Sequence, residues 1–259
     1  MAVMDMFDMK GKVSVITGGA QGLGKAMAEA LAEAGSKIVI GEINTELGEE
    51  TANGLKDKYG IDAIVVKCDV TKPEDAQALA DKTVEAFGRI DVLINNAGIT
   101  KHIGAADVLP EDWLAVINVN LNGVFYCSQA AGRYMIKQKG GSIINISSMS
   151  GLIVNTPQEQ ASYNASKAAV IHLGKSLASE WAPYNIRVNS ICPGYMKTDM
   201  TKGIFERGGE WVDTWMRMSP MKRPGEPDEL KGLVLYLASD ASTFTNGAAI
   251  PVDGAYTVW

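Results

Sequence analysis

Seven short runs of aliphatic and β-branched residues recur along the 259-residue chain, at 13–17, 38–40, 63–68, 92–94, 142–146, 187–191 and 248–252. Between them lie segments with apolar residues at helical spacing, at 22–34, 45–58, 73–87, 110–137, 162–181 and 228–237. The short runs are apolar almost throughout instead of alternating with polar residues, so both faces of each must be covered. That combination predicts an α/β fold, a doubly wound and mostly parallel seven-stranded sheet with helices on both faces. Ligands of such sheets bind beyond the carboxyl ends of the strands. With no linker, repeat or low-complexity tract, residues 1–259 read as a single domain. The one break in rhythm is 193–227, rich in Trp and Met. It is expected either to cover the substrate or to form two short amphipathic helices on the core.

A net charge of −6 argues against nucleic acid and anionic membrane as partners, so a bound phosphate must be held by local geometry. Cys68, Cys127 and Cys192 are widely spaced and odd in number, the pattern of reduced thiols in a cytoplasmic protein. Asp5 and Asp8 interrupt what would be an apolar signal core, and no apolar run reaches membrane-spanning length. No metal site is assigned; one at the C-terminal carboxylate of Trp259 has no support in the residues.

The turn Thr17–Gly24, "TGGAQGLG", leaves the first strand and opens the first helix. Gly18, Gly22 and Gly24, with Gln21 and Leu23 between them, fit a Rossmann-type dinucleotide turn. The backbone can approach a pyrophosphate, and the helix N-terminus faces it with free N–H groups. Glu42 ends the second strand, where a carboxylate accepts both ribose hydroxyls and repels a 2′-phosphate. Ile43 and Asn44 add no cation and Lys25 is the nearest one, so NAD is expected over NADP. Asp69, after the third strand, is placed to reach an adenine edge or to cap the next helix.

In "SYNASK", Tyr163 and Lys167 share one face of a predicted helix. Ser147 and Ser148 leave the preceding strand at the same sheet edge. Oxidising an alcohol by hydride transfer requires a base for the hydroxyl proton, and the reverse requires an acid. An ammonium about 4 Å from the phenol contributes on the order of 4 kcal/mol at an effective dielectric of about 20. Lys167 is therefore expected to lower the phenol pKa by roughly three units.

These motifs, with "CDV" at 68–70, "NNAG" at 95–98, "NVNLNG" at 118–123, "SSMSG" at 147–151 and "PGYMKT" at 193–198, resemble the short-chain dehydrogenase/reductase family over essentially the whole chain. The resemblance implies Tyr163 as acid/base, Lys167 tuning it and holding the nicotinamide ribose, and Ser148 donating to the reacting oxygen. Asn120 would support a water that links Lys167 to solvent. Val70, Asn96, Ala97, Gly98, Pro193, Gly194 and Thr198 would line the cofactor. The family spaces this serine and tyrosine by about 13 residues, which points to Ser150, whereas the "SSxxG" register selects Ser148. A homotetramer packing through 110–137 and 162–181 is also implied, with Gly174 permitting close approach.

The stretch "SMSGLIVNTPQEQASYN" is similar to the polyol dehydrogenase and ketose reductase subgroup. Ser150, Asn155, Gln158 and Gln160 are expected near a polyhydroxyl substrate, because amides both donate and accept; His102 is a weaker candidate. The expected activity is NAD(H)-dependent polyol–ketose interconversion. Its rivals are an NADP(H)-dependent 3-oxoacyl carrier-protein or general carbonyl reductase, and a catalytically silent dinucleotide-sensing module.

Overall fold

A computed structural model describes residues 2–258, without the side chains of Asp199 and Met200, so Trp259 lies outside the described residues. Its strands are β1 Val13–Thr17, β2 Lys37–Glu42, β3 Ala63–Lys67, β4 Val92–Asn95, β5 Gly141–Ile146, β6 Ile186–Pro193 and β7 Ala249–Val252. They form one sheet in the order β3-β2-β1-β4-β5-β6-β7, every pair parallel. The helices are α1 Gly22–Glu33, α2 Thr45–Tyr59, α3 Pro73–Phe87, α4 Pro110–Ile117, α5 Gly123–Gln138, α6 Ala161–Trp181, α7 Asp199–Arg207, α8 Glu210–Met218 and α9 Lys231–Ala238. This is the Rossmann-type architecture read from the sequence.

The uniform apolarity of the strands has its cause in two cores. One packs α1 and α9 on Ile16, Ile38, Ile40, Ile94 and Ile144. The other packs α3 and α5 on Val15, Val39, Leu93, Ile143 and Val188. Alternate residues of each strand thus face opposite cores, as the two-residue side-chain period requires. Strand order reverses between β1 and β4, which opens the crevice at their carboxyl ends.

Three expectations are corrected. The helix expected over 110–137 is not regular: residues Asn118–Asn122 form a π turn between α4 and α5. The expected helix at 228–237 begins as a 3-10 turn, Pro227–Leu230. Gly174 does not face outward: a Cβ there would lie 3.1 Å from Ser190 Oγ and 3.3 Å from Asn145 Nδ2, so its missing side chain lets α6 sit on its own sheet. The 193–227 segment resolves into α7 and α8, and α8 turns Thr214 and Trp215 into the protein. Among the described residues, no helix is long and apolar enough to cross a membrane.

Candidate active site

The glycine-rich turn closes as a cradle at the end of β1. Gly18 and Gly22 have φ of +62° and +55°, which other residues adopt only with strain. A Cβ on Gly24 would stand 2.1 Å from the Gly18 carbonyl oxygen and 2.6 Å from Asn96 Nδ2. Asn96 donates from Nδ2 to the carbonyls of Thr17 (3.0 Å) and Gly18 (2.8 Å). The backbone N–H groups of Asn96 and Ala97 donate to Thr17 Oγ1 at 3.0 and 3.2 Å. Asn96 and Ala97 therefore shape the turn from β4. Gln21 precedes α1 without capping it by its side chain, so the first amides of a twelve-residue helix have no side-chain acceptor. Leu23 packs on the core below. Thr198, the cap of α7, lies opposite Gly22, with its Cβ 3.8 Å from where a Gly22 Cβ would be. These residues fit a dinucleotide pyrophosphate.

Around the turn, Glu42 Oε1 accepts from the backbone of Ile43 (2.9 Å) and Asn44 (3.4 Å), which fixes the carboxylate at the end of β2. Lys67 lies opposite Glu42 in register on β3. Asp69 is occupied locally: Oδ1 accepts from Thr71 N (3.1 Å) and Thr71 Oγ1 (2.7 Å), and this hydrogen bonding lowers its pKa. Val70 is buried beneath Gly123, where a Cβ would meet it at 2.8 Å. Pro193 ends β6, and Gly194 packs on Asp253, whose Cα a Cβ would approach to 2.7 Å. Val70 and Gly194 are thus packing positions.

The reacting groups gather at the ends of β4 and β5. Lys167, only 4% exposed, donates from Nζ to the Ile146 carbonyl at 2.8 Å, and burial lowers its pKa to about 8. Its Nζ lies over the Tyr163 ring, 5.6 Å from its centre. Tyr163 is half-buried, and desolvation pushes its phenol up, opposed by hydrogen bonding with Ser148. Burial thus raises the phenol, where the sequence predicts a lowering by Lys167. Gly98 adjoins both Asn120 and Lys167: a Cβ there would lie 3.3 Å from Asn120 Oδ1 and 3.4 Å from Lys167 Nζ. Asn120, in the π turn, uses its amide to grip Ile99, accepting from its N–H and donating to its carbonyl, both at 2.9 Å. It also donates to Ser166 Oγ at 3.1 Å. A π turn sits at many functional sites because its extra residue redirects a side chain.

The expected substrate residues are placed differently. Ser150, Asn155, Gln158 and Gln160 are buried and bonded to one another, to Tyr195 and to Trp215 of α8. Ser150 Oγ donates to Asn155 Oδ1 (2.9 Å), and Gln160 Nε2 donates to Asn155 Oδ1 (3.2 Å) and Asn164 Oδ1 (2.9 Å). Asn155 Nδ2 and Gln158 Nε2 donate to Tyr195 OH at 2.9 and 2.8 Å. Their amides are committed to the protein and not offered to a ligand. His102 is exposed on one side and meets Trp211 of α8 edge-on at 5.2 Å between centroids, and partial desolvation lowers its pKa. Tyr195 and Trp215 are the partners of this amide cluster; Tyr195 falls within the "PGYMKT" motif without being singled out by it, and Trp215 lies in no motif.

The family model described as enoyl-(acyl carrier protein) reductase matches residues 18–257. The chain belongs to the short-chain dehydrogenase/reductase family, whose members are NAD(P)-dependent oxidoreductases of alcohol and ketone groups. A sorbose reductase of Candida albicans is 46% identical over 257 residues, covering 98% of this chain and 90% of that protein. A probable NADP-dependent mannitol dehydrogenase of Yarrowia lipolytica is 44% identical over 256 residues, covering 98% and 90%. A 3-oxoacyl-[acyl-carrier-protein] reductase of Thermotoga maritima is 42% identical over 253 residues, covering 96% and 99%. Among solved structures, a gluconate 5-dehydrogenase of Burkholderia cenocepacia in complex with NADP and tartrate superposes with a TM-score of 0.93 at 37% identity, covering 99% of each chain. The polyol and ketose relatives bear out the subgroup read from the sequence.

Proposed function

We propose that the protein interconverts a sugar alcohol and a ketose, with Tyr163 exchanging the hydroxyl proton. The observation that carries this reading is the convergence of Ser148, Tyr163 and Lys167 at the sheet edge beside the glycine-rich turn. Bound nicotinamide supplies the hydride acceptor or donor. The protein's own groups do the rest. Tyr163 gives its proton to the ketone oxygen in reduction and takes it back in oxidation. Ser148 donates to the same oxygen, where charge develops. Lys167, kept cationic at neutral pH, holds the ribose, and Asn120 steadies the backbone through which a water reaches Lys167. The substrate class is supported by the sorbose- and mannitol-linked relatives, since the amides beside the centre are occupied internally.

NAD(H) is proposed over NADP(H) on Glu42, a fixed carboxylate where a 2′-phosphate would sit. The NADP-dependent mannitol relative and Lys67 across the ladder support the opposite preference. Residues 193–227 are proposed to cover the substrate. A homotetramer is supported by half-exposed Trp113 and Phe125 on α4 and α5, and a cytoplasmic location by three buried free thiols.

The test is absorbance at 340 nm with a panel of polyols and ketoses, each with both cofactors, on wild type and Tyr163→Phe. Polyol turnover with NAD that is lost in the variant is the expected result. A second reading, 3-oxoacyl reduction with NADPH, draws on the Thermotoga maritima relative. Activity confined to oxoacyl substrates would establish that second reading in place of the first.

A further inference from the structure

The buried amide cluster has two arms that meet at the Tyr195 hydroxyl. An indole N–H can only donate, and Trp215 Nε1 donates to Gln158 Oε1 at 3.0 Å. Gln158 must then present its NH2 to Tyr195, which it does at 2.8 Å. At the other end, Gln160 Nε2 donates to Asn155 Oδ1 at 3.2 Å and to Ser150 Oγ at 3.4 Å, and the Asn155 NH2 goes to Tyr195 at 2.9 Å. Asn155 Oδ1 then takes the proton of Ser150 at 2.9 Å. With its proton committed, Ser150 offers only lone pairs to Ser148, whose hydroxyl donates to it at 3.1 Å. Ser148 Oγ also accepts from Ser150 N at 3.1 Å. Ser150 thus cannot serve as donor to a reacting oxygen, and Ser148 keeps a proton that can swing from Ser150 to that oxygen.

The structure assigns Asn155 and Tyr195 as positioning residues: two hydrogen-bonded arms converge on the Tyr195 hydroxyl, one from Trp215 of α8 through Gln158 and one from Ser148 through Ser150 and Asn155, so that Tyr195 holds the amide that receives the proton of Ser150 and thereby sets the hydroxyl of Ser148. This rests on Ser148 being the donor proposed above. Tyr195 is the junction. It stacks on Trp215 at 4.0 Å and 14°, and burial raises its phenol pKa so that it stays neutral. The covering segment and the reacting hydroxyl are therefore joined by an unbroken run of side-chain hydrogen bonds that meets at Tyr195. Losing an aimed donor to a developing oxyanion costs about 10²–10³ in rate. Releasing it from its support, with the donor still present, should cost less.

The experiment is a double-mutant cycle on kcat for ketose reduction, with Tyr195→Phe and Asn155→Ala each made in wild type and in Ser148→Ala. In wild type each is expected to lower kcat about tenfold, with KM and the NADH dissociation constant unchanged within about twofold. In Ser148→Ala each should change kcat less than about twofold, because the group they set is gone. The same loss in both backgrounds, or none in wild type, would overturn the assignment. If Tyr195→Phe does not fold, the Asn155→Ala pair decides by the same ratio. Wild type is also assayed on a simple secondary ketone. Turnover of that ketone without any ketose would sink the polyol reading while the cycle is run on the ketone.

Discussion

Lys167 carries the most direct electrostatic prediction. Its ammonium is buried with one hydrogen bond, to the Ile146 carbonyl, and burial lowers its pKa to about 8 from the ordinary 10.5. The native state then releases this proton near pH 8 and the unfolded chain near 10.5, so between those values the unfolded state binds more protons. The contribution of Lys167 to stability must rise with pH across that window, by at most about 3 kcal/mol at 1.4 kcal/mol per pH unit. Cys192, whose thiol burial raises from 9 to about 11, contributes a slope of opposite sign above about pH 9, but it does so in wild type and in a Lys167 variant alike and cancels in their difference. Lys167→Met leaves the Ile146 carbonyl unpaired, but that cost is independent of pH and drops out of the slope. Urea unfolding of the cofactor-free protein at pH 7, 8, 9 and 10 measures it. The stability of wild type minus that of Lys167→Met should be flat from pH 7 to 8 and then climb by about 2–3 kcal/mol by pH 10. A difference that stays level to pH 10 would refute the argument and mean that the ammonium remains hydrated through the cleft.

Two further outcomes follow from packing. Gly24→Ala forces a methyl to within 2.1 Å of the Gly18 carbonyl, so α1 must shift; a loss of about 1–3 kcal/mol and at least tenfold weaker NADH binding are expected in thermal melts and fluorescence titration. An unchanged melting temperature with unchanged binding would show that the turn is looser than it looks. Cys68, Cys127 and Cys192 are each 3% exposed or less and should resist a thiol reagent in the native protein, then react as three thiols in denaturant. Rapid native labelling of any one would contradict that burial.

The fold was readable because strands buried on both faces leave an unmistakable apolar run, and because the turn chemistry at Gly18–Gly24 is local. The tyrosine–lysine pair was readable for the same reason, being four residues apart on one helix. What Lys167 does there was not, since its ammonium is claimed by Ile146, a carbonyl 21 residues away on another element. The π turn escaped notice because one extra residue in "NVNLNG" leaves the apolar spacing on either side intact. Asn155, Gln158 and Gln160 are expected at the substrate from local sequence, but their partners Tyr195 and Trp215 lie 37–57 residues on, so their saturation is invisible there. A clustering of three amides with an indole and a phenol in a neighbouring segment is the only sequence trace of that network.

The acidity of the chain gives a final prediction with a definite sign. A protein of net charge −6 repels a dinucleotide at long range, and this repulsion is screened by salt over about 8 Å at physiological ionic strength. The attraction is short-ranged, from the amides of α1 and the backbone of the glycine cradle, and screening reaches it poorly. Raising salt therefore removes more repulsion than attraction. NADH binding, titrated by fluorescence from about 20 to 500 mM sodium chloride, should hold constant or tighten. Binding that weakens steeply with salt would mean that a cation such as Lys25 or Lys67, not the turn, holds the phosphates.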